Sequence, residues 1–380
     1  MVLVRTVSLR LGQRRLEQRS KPSAILLIVD HRPDLRALDD PREENLDLHS
    51  AWYLLWPDAL ECRVGPRAAI RRLELPTGGG YNCPGGVTET AMRIIATSDL
   101  HYNIARSRPG VRQAAQKVAQ RGGDVLVIAG DIAGIDTAIF AEALELFADF
   151  RGPKLLVAGN HDLWVAPGRC SLEKWSRELP QIARRYGFHM LDHEPYYADG
   201  VAFVGTVGWY DYSFRLRKLD VPLRFYQAKM GPGRVAAVPE LSNLLESQDD
   251  LHDHHFAITA AWRDGQYVNL PFDDPGFTDH LAERLDEHLK AAVARSPHVV
   301  AVTHHLPRRE LVWYRGDPGW DFVAAFLGSD KLHAVLRRYE PVKLCLSGHS
   351  HRADSIKDNG THYVAIGSTY LDKALVELDL

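Results

Sequence analysis

At residues 93–131 the chain contains the stretch RIIATSDLHYNIARSRPGVRQAAQKVAQRGGDVLVIAGD, which predicts a strand, a helix and a second strand. The β-branched run Arg93–Thr97 predicts the first strand, and Asp124–Ala129 predicts the second. Between them, Val111–Arg121 predicts a helix with Pro109 near its first turn. This order favours a layered α/β domain, because parallel strands need crossover connections between them.

The same alternation continues along the rest of the chain. Further helices are predicted at Thr137–Phe150, Ser171–Tyr186, Pro239–Glu246 and Asp279–Arg295. Further strands are predicted at Lys154–Ala158, Val201–Gly205, His298–Thr303, Val342–Ser347, Tyr363–Ile366 and Ala374–Leu378. No internal repeat or heptad run interrupts this order, so the predicted fold class is α/β.

Composition excludes several classes of protein. With 45% hydrophobic and 25% charged residues among 380, the chain is typical of a folded globular protein. Its 46 basic and 49 acidic residues give a net charge of -3, which gives no strong nucleic-acid signal. The longest apolar run near the start, Ala24–Val29, is too short for a signal-peptide core or a membrane span, so no membrane partner is expected. The four cysteines lie far apart without a C-x-x-C pair, which favours a cytoplasmic protein over a disulfide scaffold.

Residues 1–91 differ from the rest of the chain in composition and hydrophobic patterning. They hold seven of the 21 prolines and show poor hydrophobic periodicity, which predicts a weakly structured N-terminal extension. Met92 stands immediately before the first clear strand. One hypothesis is that the working domain begins at Met92 and that the extension is dispensable; the alternative is coincidence.

Ligand-type side chains directly follow five of the predicted strands. In chain order they are Asp99 and His101, Asp131, Asn160 with His161 and Asp162, His304 with His305, and His349 with His351. Each group alone is more typical of an ordinary turn. Five such groups, each directly after an apolar strand, are not expected by chance and indicate a shared site. The carboxyl ends of strands face the ligand crevice of an open α/β sheet, so these groups are expected to converge. Carboxylate, imidazole and amide oxygen donors without cysteine indicate Mn, Fe or Zn.

The ordered pattern D-x-H, G-D, G-N-H-D, H and G-H-x-H resembles that of the calcineurin-like metallophosphoesterases. The resemblance covers residues 92–380 and implies a four-layer α/β/β/α sandwich with two mixed sheets and a dinuclear metal centre. It further implies that one metal is held by Asp99, His101, Asp131 and His351. The other is implied to be held by Asp131, Asn160, His304 and His349, so that Asp131 bridges both.

Two such cations, roughly 3.5 to 4 Å apart, neutralise a phosphate ester and generate hydroxide near neutral pH. The resemblance therefore implies hydrolysis of a small phosphomonoester or phosphodiester by a metal-bridging hydroxide. His161 is implied to act as general acid at the leaving oxygen, with Asp162 orienting its ring. The alternative for His161 is a histidine that only hydrogen-bonds the loop.

Departures from related patterns narrow the substrate class. The string after Gly130 lacks the arginine of the protein-phosphatase motif G-D-x-x-D-R-G, and His161 stands where lipid A pathway pyrophosphatases carry arginine. Two alternatives stay open: a metal-dependent DNA nuclease of the same superfamily and a non-catalytic metal-binding scaffold. The sequence does not predict the substrate-binding residues, the metal identity or the oligomeric state.

Several features outside the motif have two interpretations. Residues 206–276 form an aromatic-rich insertion, interpreted equally as a substrate-selecting cap or as an ordinarily packed lobe. The histidines of Leu251-His252-Asp253-His254-His255 are expected in a solvated loop rather than around another metal. The sequence alone does not decide which of the adjacent His304 and His305 binds metal; the resemblance favours His304, which leaves His305 in the surrounding shell or the loop. Asn103 and Trp164 are weaker candidates for substrate contact.

Overall fold

The computed structural model describes residues 71–74, 91–246 and 248–380. The predicted extension over residues 1–91 therefore lies almost entirely outside the described residues. Of that segment, Arg71–Glu74 forms a strand that pairs in parallel with the last strand of the chain, a pairing that its poor periodicity did not indicate.

Within the described residues the chain forms two six-stranded sheets. In chain order the strands are β1 Arg71–Glu74, β2 Arg93–Thr97, β3 Val125–Ala129, β4 Lys154–Val157, β5 Phe188–Met190, β6 Tyr196–Ala198, β7 Val201–Thr206, β8 His298–Thr303, β9 Val342–Ser347, β10 Asp354–Asp358, β11 Thr361–Ala365 and β12 Val376–Asp379.

Both sheets are mixed. The first has the order β1-β12-β2-β3-β4-β5 and is parallel except between β12 and β2. The second has the order β10-β11-β9-β8-β7-β6, with antiparallel pairs at its two edges and three parallel pairs inside. The parallel strands of each sheet therefore end on the same edge, where loops from both sheets can meet.

Helices connect the strands. The helices are α1 Arg108–Arg121, α2 Thr137–Glu145, α3 Ser171–Glu173, α4 Leu179–Arg185, α5 Leu223–Gln227, α6 Pro232–Val235, α7 Asp264–Tyr267, α8 Asp274–Val293, α9 Pro318–Val323 and α10 Asp330–Leu336, with a π-helical turn at Lys174–Glu178. Short 3-10 helices lie at Ala105–Ser107, His161–Leu163, Arg217–Leu219, Pro239–Leu245, Gln248–Asp250, Asp253–Ala257, Arg309–Leu311 and Ala324–Phe326. In the described part of the chain, no helix combines the length and the apolar character of a membrane span.

The period-two alternation of β2 explains the layering. Ile94 and Ala96 pack into a core between the two sheets, together with residues of the second sheet such as Val300 and Leu344. Ile95 points to the opposite face and joins an outer core that includes α1. A third core lies between the second sheet and helices α8 and α10. The predicted α/β/β/α sandwich with two mixed sheets is confirmed.

Most predicted elements are present, and the differences have local causes. The helix predicted over Thr137–Phe150 ends at Glu145, and the segment predicted around Pro239–Glu246 forms a 3-10 helix rather than an α-helix. Strands β5, β6 and β10 were not predicted. Each is short or lies at a sheet edge, and β10 (DSIKD) has only one apolar residue, so none carries a clear apolar signal.

Candidate metal centre

The predicted ligands converge at the carboxyl ends of the parallel strands. Asp99 and His101 follow β2, Asp131 follows β3 and Asn160 follows β4, all in the first sheet. His304 follows β8, and His349 and His351 follow β9, all in the second sheet. Six of these seven residues are buried, and His351 is half-buried. Both sheets therefore contribute to one buried cluster.

The loops that carry this cluster are strained. Five of the seven predicted ligands have left-handed backbone conformations, with φ between 44° and 66°: Asp99, His101, Asp131, His349 and His351. A non-glycine residue in a sparsely populated conformation costs about 1 to 3 kcal/mol and persists where its surroundings require it. Such a concentration of strain at one place indicates that the directions of these side chains are under functional constraint.

Backbone hydrogen bonds hold the loops against one another. The Asp99 N–H donates to the Gly130 carbonyl at 2.9 Å, and the His101 N–H donates to the Asp131 carbonyl at 2.8 Å. The His349 N–H, from the second sheet, donates to Asp99 Oδ1 at 3.0 Å. The ligand loops themselves therefore form one of the links between the two sheets.

The motif glycines leave room for the ligands. A Cβ on Gly159 would lie 2.1 Å from Asp131 Oδ1, and a Cβ on Gly130 would lie 2.5 Å from His304 Nδ1. Any side chain at either position would displace a neighbouring ligand, which explains why glycine precedes Asp131 and Asn160.

A first group of donor atoms surrounds His101. Its Nε2 lies 3.3 Å from His351 Nε2 and 3.4 Å from Asp131 Oδ2. His351 Nε2 in turn lies 3.7 Å from Asp99 Oδ1. These separations match the edges of a coordination polyhedron with metal–ligand bonds of about 2.0 to 2.2 Å.

A second group surrounds His304. Its Nε2 lies 3.1 Å from His349 Nδ1, 3.2 Å from Asn160 Oδ1 and 3.4 Å from Asp131 Oδ1. Asp131 thus presents one carboxylate oxygen to each group. The structure brings all seven predicted ligands into two adjacent sets that share Asp131.

The protonation of the second group fits a cation. His304 Nδ1 lies 2.9 Å from the Ala129 carbonyl, and His349 Nε2 lies 3.2 Å from the Phe326 carbonyl. A carbonyl only accepts, so each of these nitrogens carries its ring's proton, and a neutral ring has its lone pair on the other nitrogen. Burial opposes protonation of His304, but the Asp131 carboxylate raises its pKa to about 9, so without a metal His304 Nε2 also carries a proton and faces His349 Nδ1 at 3.1 Å. A bound cation would take the place of that proton and would be held by both nitrogens.

Burial favours the neutral imidazole at two of the other predicted ligands. Burial lowers the pKa of His101 and of His349 well below the usual value for histidine. Neighbouring imidazoles lower it further, His161 first for His101 and His305 first for His349. A histidine must be neutral to bind a metal, so these rings are ready to do so at neutral pH.

His161 lies at the mouth of the cluster, beside its predicted ligands. Its backbone N–H donates to Asp131 Oδ1 at 2.9 Å, and its ring centroid is 4.6 Å from that of His101. The ring stacks on Trp164, with the centroids 3.8 Å apart and the planes inclined by 23°. Trp164, a weak candidate from the sequence, therefore sets the plane of the His161 ring.

The contacts of Asp162 extend beyond the expectation. Its two oxygens accept backbone N–H bonds from Gly159, Ile132 and Ala133 at 2.9, 3.1 and 2.8 Å. These bonds give Asp162 a structural role in addition to the predicted one of orienting the His161 ring, which stays a prediction. Asp162 joins the G-N-H-D loop to the G-D loop.

His305 and His255 each have a structural partner. His305 is buried, and its Nδ1 lies 3.1 Å from the Val207 carbonyl. His255 is buried rather than solvated. Its Nδ1 accepts the His252 N–H and its Nε2 bonds the Leu219 carbonyl, both at 3.1 Å. Among the described residues, the histidine cluster at 252–255 is not one of the groups able to hold a metal.

Two buried carboxylates near the site were missed by the sequence analysis. Asp192 accepts the N–H of Ala158, beyond β4, at 2.9 Å and that of Val207, beyond β7, at 2.6 Å, so it ties the two sheets together at the site. Asp264, within the aromatic insertion, receives a hydrogen bond from Asn160. Neither belongs to a motif, and an acidic residue near aromatic residues is the only sequence signal that Asp264 offers.

The fold and the donor set define a metal-binding protein of the four-layer α/β/β/α class. The family model of the calcineurin-like phosphoesterases matches residues 92–353, and the chain belongs to this family. The resemblance inferred from the five-part motif is confirmed, and membership supports phosphoester hydrolysis and metal dependence in general.

Two solved structures are similar to this chain. A phosphopantetheinyl hydrolase from Mycobacterium tuberculosis is 16% identical, with 73% of this chain and 90% of that chain covered and a TM-score of 0.50. A dimetal phosphatase from Danio rerio is 14% identical, with 73% and 87% covered and a TM-score of 0.40. No curated protein matches the chain significantly in sequence.

Proposed function

We propose that this protein hydrolyses a small phosphomonoester or phosphodiester at a centre of two metal ions. Asp99, His101, Asp131 and His351 hold one ion, and Asp131, Asn160, His304 and His349 hold the other. Mn, Fe and Zn all suit this mixture of oxygen and imidazole donors. The observation that carries the proposal is the pair of donor sets sharing one carboxylate, with Asp131 Oδ2 and Oδ1 each 3.4 Å from a different imidazole.

The two ions, when bound, supply Lewis acidity toward the phosphate oxygens and a nucleophile at neutral pH. The chain supplies the geometry around them. Asn160 contributes a neutral carbonyl oxygen rather than a second anion, which limits the negative charge facing an anionic substrate. The strained loops keep the donor atoms fixed, so little reorganisation is needed when the ester binds.

His161 acts as the general acid at the leaving oxygen in this proposal. The half-buried ring lies next to both donor sets, through His101 and through the backbone bond to Asp131. Stacking on Trp164 restricts rotation of the ring, so its outer edge keeps one direction relative to the bound ester. A positioned acid of this kind contributes about 10² to 10⁴ in rate when the leaving group needs a proton.

The limits of the working domain, the cap and the cellular location are also proposals. The working domain is taken as residues 92–380, since the predicted site residues and the three apolar cores formed by the described residues lie within them. Residues 206–276 are taken as a cap beside the site, because Tyr267 stacks on Trp164 with the centroids 4.8 Å apart and Trp262 lies with its edge against His349. A cytoplasmic location is proposed because Cys170 and Cys345 are both free thiols.

We expect chelator-treated protein to lose its phosphoesterase activity and to regain it when Mn²⁺ is added back. The purified full chain is assayed with nitrophenyl monoester, nitrophenyl diester, cyclic nucleotide and duplex DNA, before and after chelation. Turnover of one of the small esters, with little cleavage of DNA, is the predicted outcome, because no excess of positive charge favours a polyanion.

Apoprotein that retains full activity contradicts the metal-dependent mechanism. Preferred cleavage of DNA favours the nuclease alternative, and inactivity on every ester despite bound metal favours the non-catalytic scaffold.

A further inference from the structure

Asp264 is a buried carboxylate with an unusual number of donors. It lies in the insertion, at the start of α7, and is 1% exposed. Oδ2 accepts the Trp262 Nε1–H at 2.8 Å and the Tyr210 hydroxyl at 3.1 Å. Oδ1 accepts the Trp164 Nε1–H at 2.7 Å and the Asn160 Nδ2–H at 2.9 Å. All four donors are neutral side chains directed at one carboxylate.

The two bonds at Oδ1 reach both parts of the candidate site. The amide nitrogen of Asn160 donates to Asp264, so its amide oxygen points the other way, to 3.2 Å from His304 Nε2. Trp164 is the ring on which His161 stacks. One oxygen therefore contacts a predicted metal ligand and the support of the predicted acid.

We propose that Asp264 is the positioning residue that fixes the Asn160 amide with its oxygen toward the metal and fixes Trp164 under His161. This inference rests on the proposed function and gives the insertion a direct part in the site. The insertion then helps to position a metal ligand as well as covering the substrate.

The need for such a residue follows from the chemistry of an amide. An asparagine side chain presents either its oxygen or its NH₂ group after a half-turn about its last torsion, and only the oxygen binds a cation. An ionised carboxylate accepts only, so it binds the NH₂ end and excludes the turned orientation. Such outer partners of metal ligands typically contribute about 10- to 100-fold to metal affinity or activity.

The chain provides a matched control in Asp274. This carboxylate lies in the same insertion and accepts bonds from Trp209 Nε1 at 2.9 Å, from Lys229 Nζ at 2.6 Å and from the Tyr212 hydroxyl. None of these three donors belongs to the predicted metal centre. Asp274 is half-buried and pairs with a lysine, but Asp274→Asn likewise removes the charge of a carboxylate that accepts aromatic donors, and it does so without touching Asn160.

The test is a Mn²⁺ titration of the metal-free full chain. Binding is measured by calorimetry and by the electron paramagnetic resonance signal of free Mn²⁺. We expect the wild-type chain and Asp274→Asn to bind two ions alike. Asp264→Asn is expected to bind one of the two ions about 10- to 100-fold more weakly, with kcat reduced and KM for a nitrophenyl ester little changed. Melting temperatures show that each variant is folded.

A folded Asp264→Asn chain that binds both ions like the wild type overturns the inference. A wild-type chain that does not bind two ions overturns the proposed function first, and the inference with it. If Asp264→Asn does not fold, Asp264→Glu replaces it; this change keeps the charge but displaces both oxygens, and unchanged binding of both ions then overturns the inference.

A reversed pair gives a second readout. In the double variant Asp264→Asn with Asn160→Asp, the introduced amide donates to the introduced carboxylate, whose other oxygen stays toward the metal. We expect this chain to bind the weakened ion about tenfold more tightly than Asp264→Asn alone. If the losses of Mn²⁺ affinity in the two single variants simply add in the double variant, the positioning role is contradicted.

Discussion

Asp131→Asn is expected to lower kcat about a thousandfold or more, a larger loss than any other single ligand replacement gives, because it weakens both metal sites at once. Each Asp131 oxygen lies 3.4 Å from an imidazole of a different donor set. The amide that replaces it has one oxygen and no charge, so it cannot serve both sets. The measurements are kcat on a nitrophenyl ester and the number of Mn²⁺ ions bound per chain.

Asp99→Asn is the comparison for this experiment. Asp99 is equally buried, but its carboxylate lies in the His101 and His351 set only. It is therefore expected to weaken one ion and to leave more activity than Asp131→Asn. Equal losses in the two variants, or Asp131→Asn with both ions bound at wild-type affinity, contradict the shared carboxylate.

His161→Ala is expected to lower turnover by about a hundredfold or more for an ester with a poor leaving group. For a nitrophenyl diester, whose leaving group hardly needs a proton, the loss is expected to be much smaller. Both metals should remain bound, because none of the seven proposed ligands is removed. The measurements are kcat for the two esters and the metal content of the variant.

The control is Trp164→Phe, which keeps an aromatic ring under His161 and removes the Nε1–H that bonds Asp264. It should keep the wild-type ratio of kcat for the two esters, whereas His161→Ala slows the ester with the poor leaving group far more than the nitrophenyl diester. An equal loss of turnover by His161→Ala with both esters, at full metal content, would show that His161 positions the substrate. Loss of one ion would make His161 a ligand.

The sequence alone predicts the buried strands of the fold, because each is a short apolar run with clear ends. The apolar strands β2, β3, β4, β8 and β9 have clear limits because each is buried and ends at a polar motif residue. Since parallel strands share an edge, these limits also predict that the seven ligand-type residues converge. The edge strands have no such signal, and β1 forms only by pairing with β12, which is distant in sequence.

The hydrogen bonds of Asp162 and Asp264 could not be predicted, because they form between segments that are distant in sequence. Asp162 was assigned to its sequence neighbour His161, but its oxygens also accept the N–H groups of Ile132 and Ala133, which the fold brings there from another loop. Asp264 is 104 residues from Asn160 in sequence. Contacts of this range depend on how the insertion packs, which hydrophobic periodicity does not encode.

The central claim, that two metal ions share Asp131, is tested most directly by anomalous diffraction from crystals of the Mn²⁺-loaded protein at the manganese edge. The account predicts two peaks roughly 3.5 to 4 Å apart on opposite sides of the Asp131 carboxylate. One should be bound by His101 and His351, and the other by Asn160, His304 and His349. A single peak, or two peaks that do not share Asp131, would contradict the account.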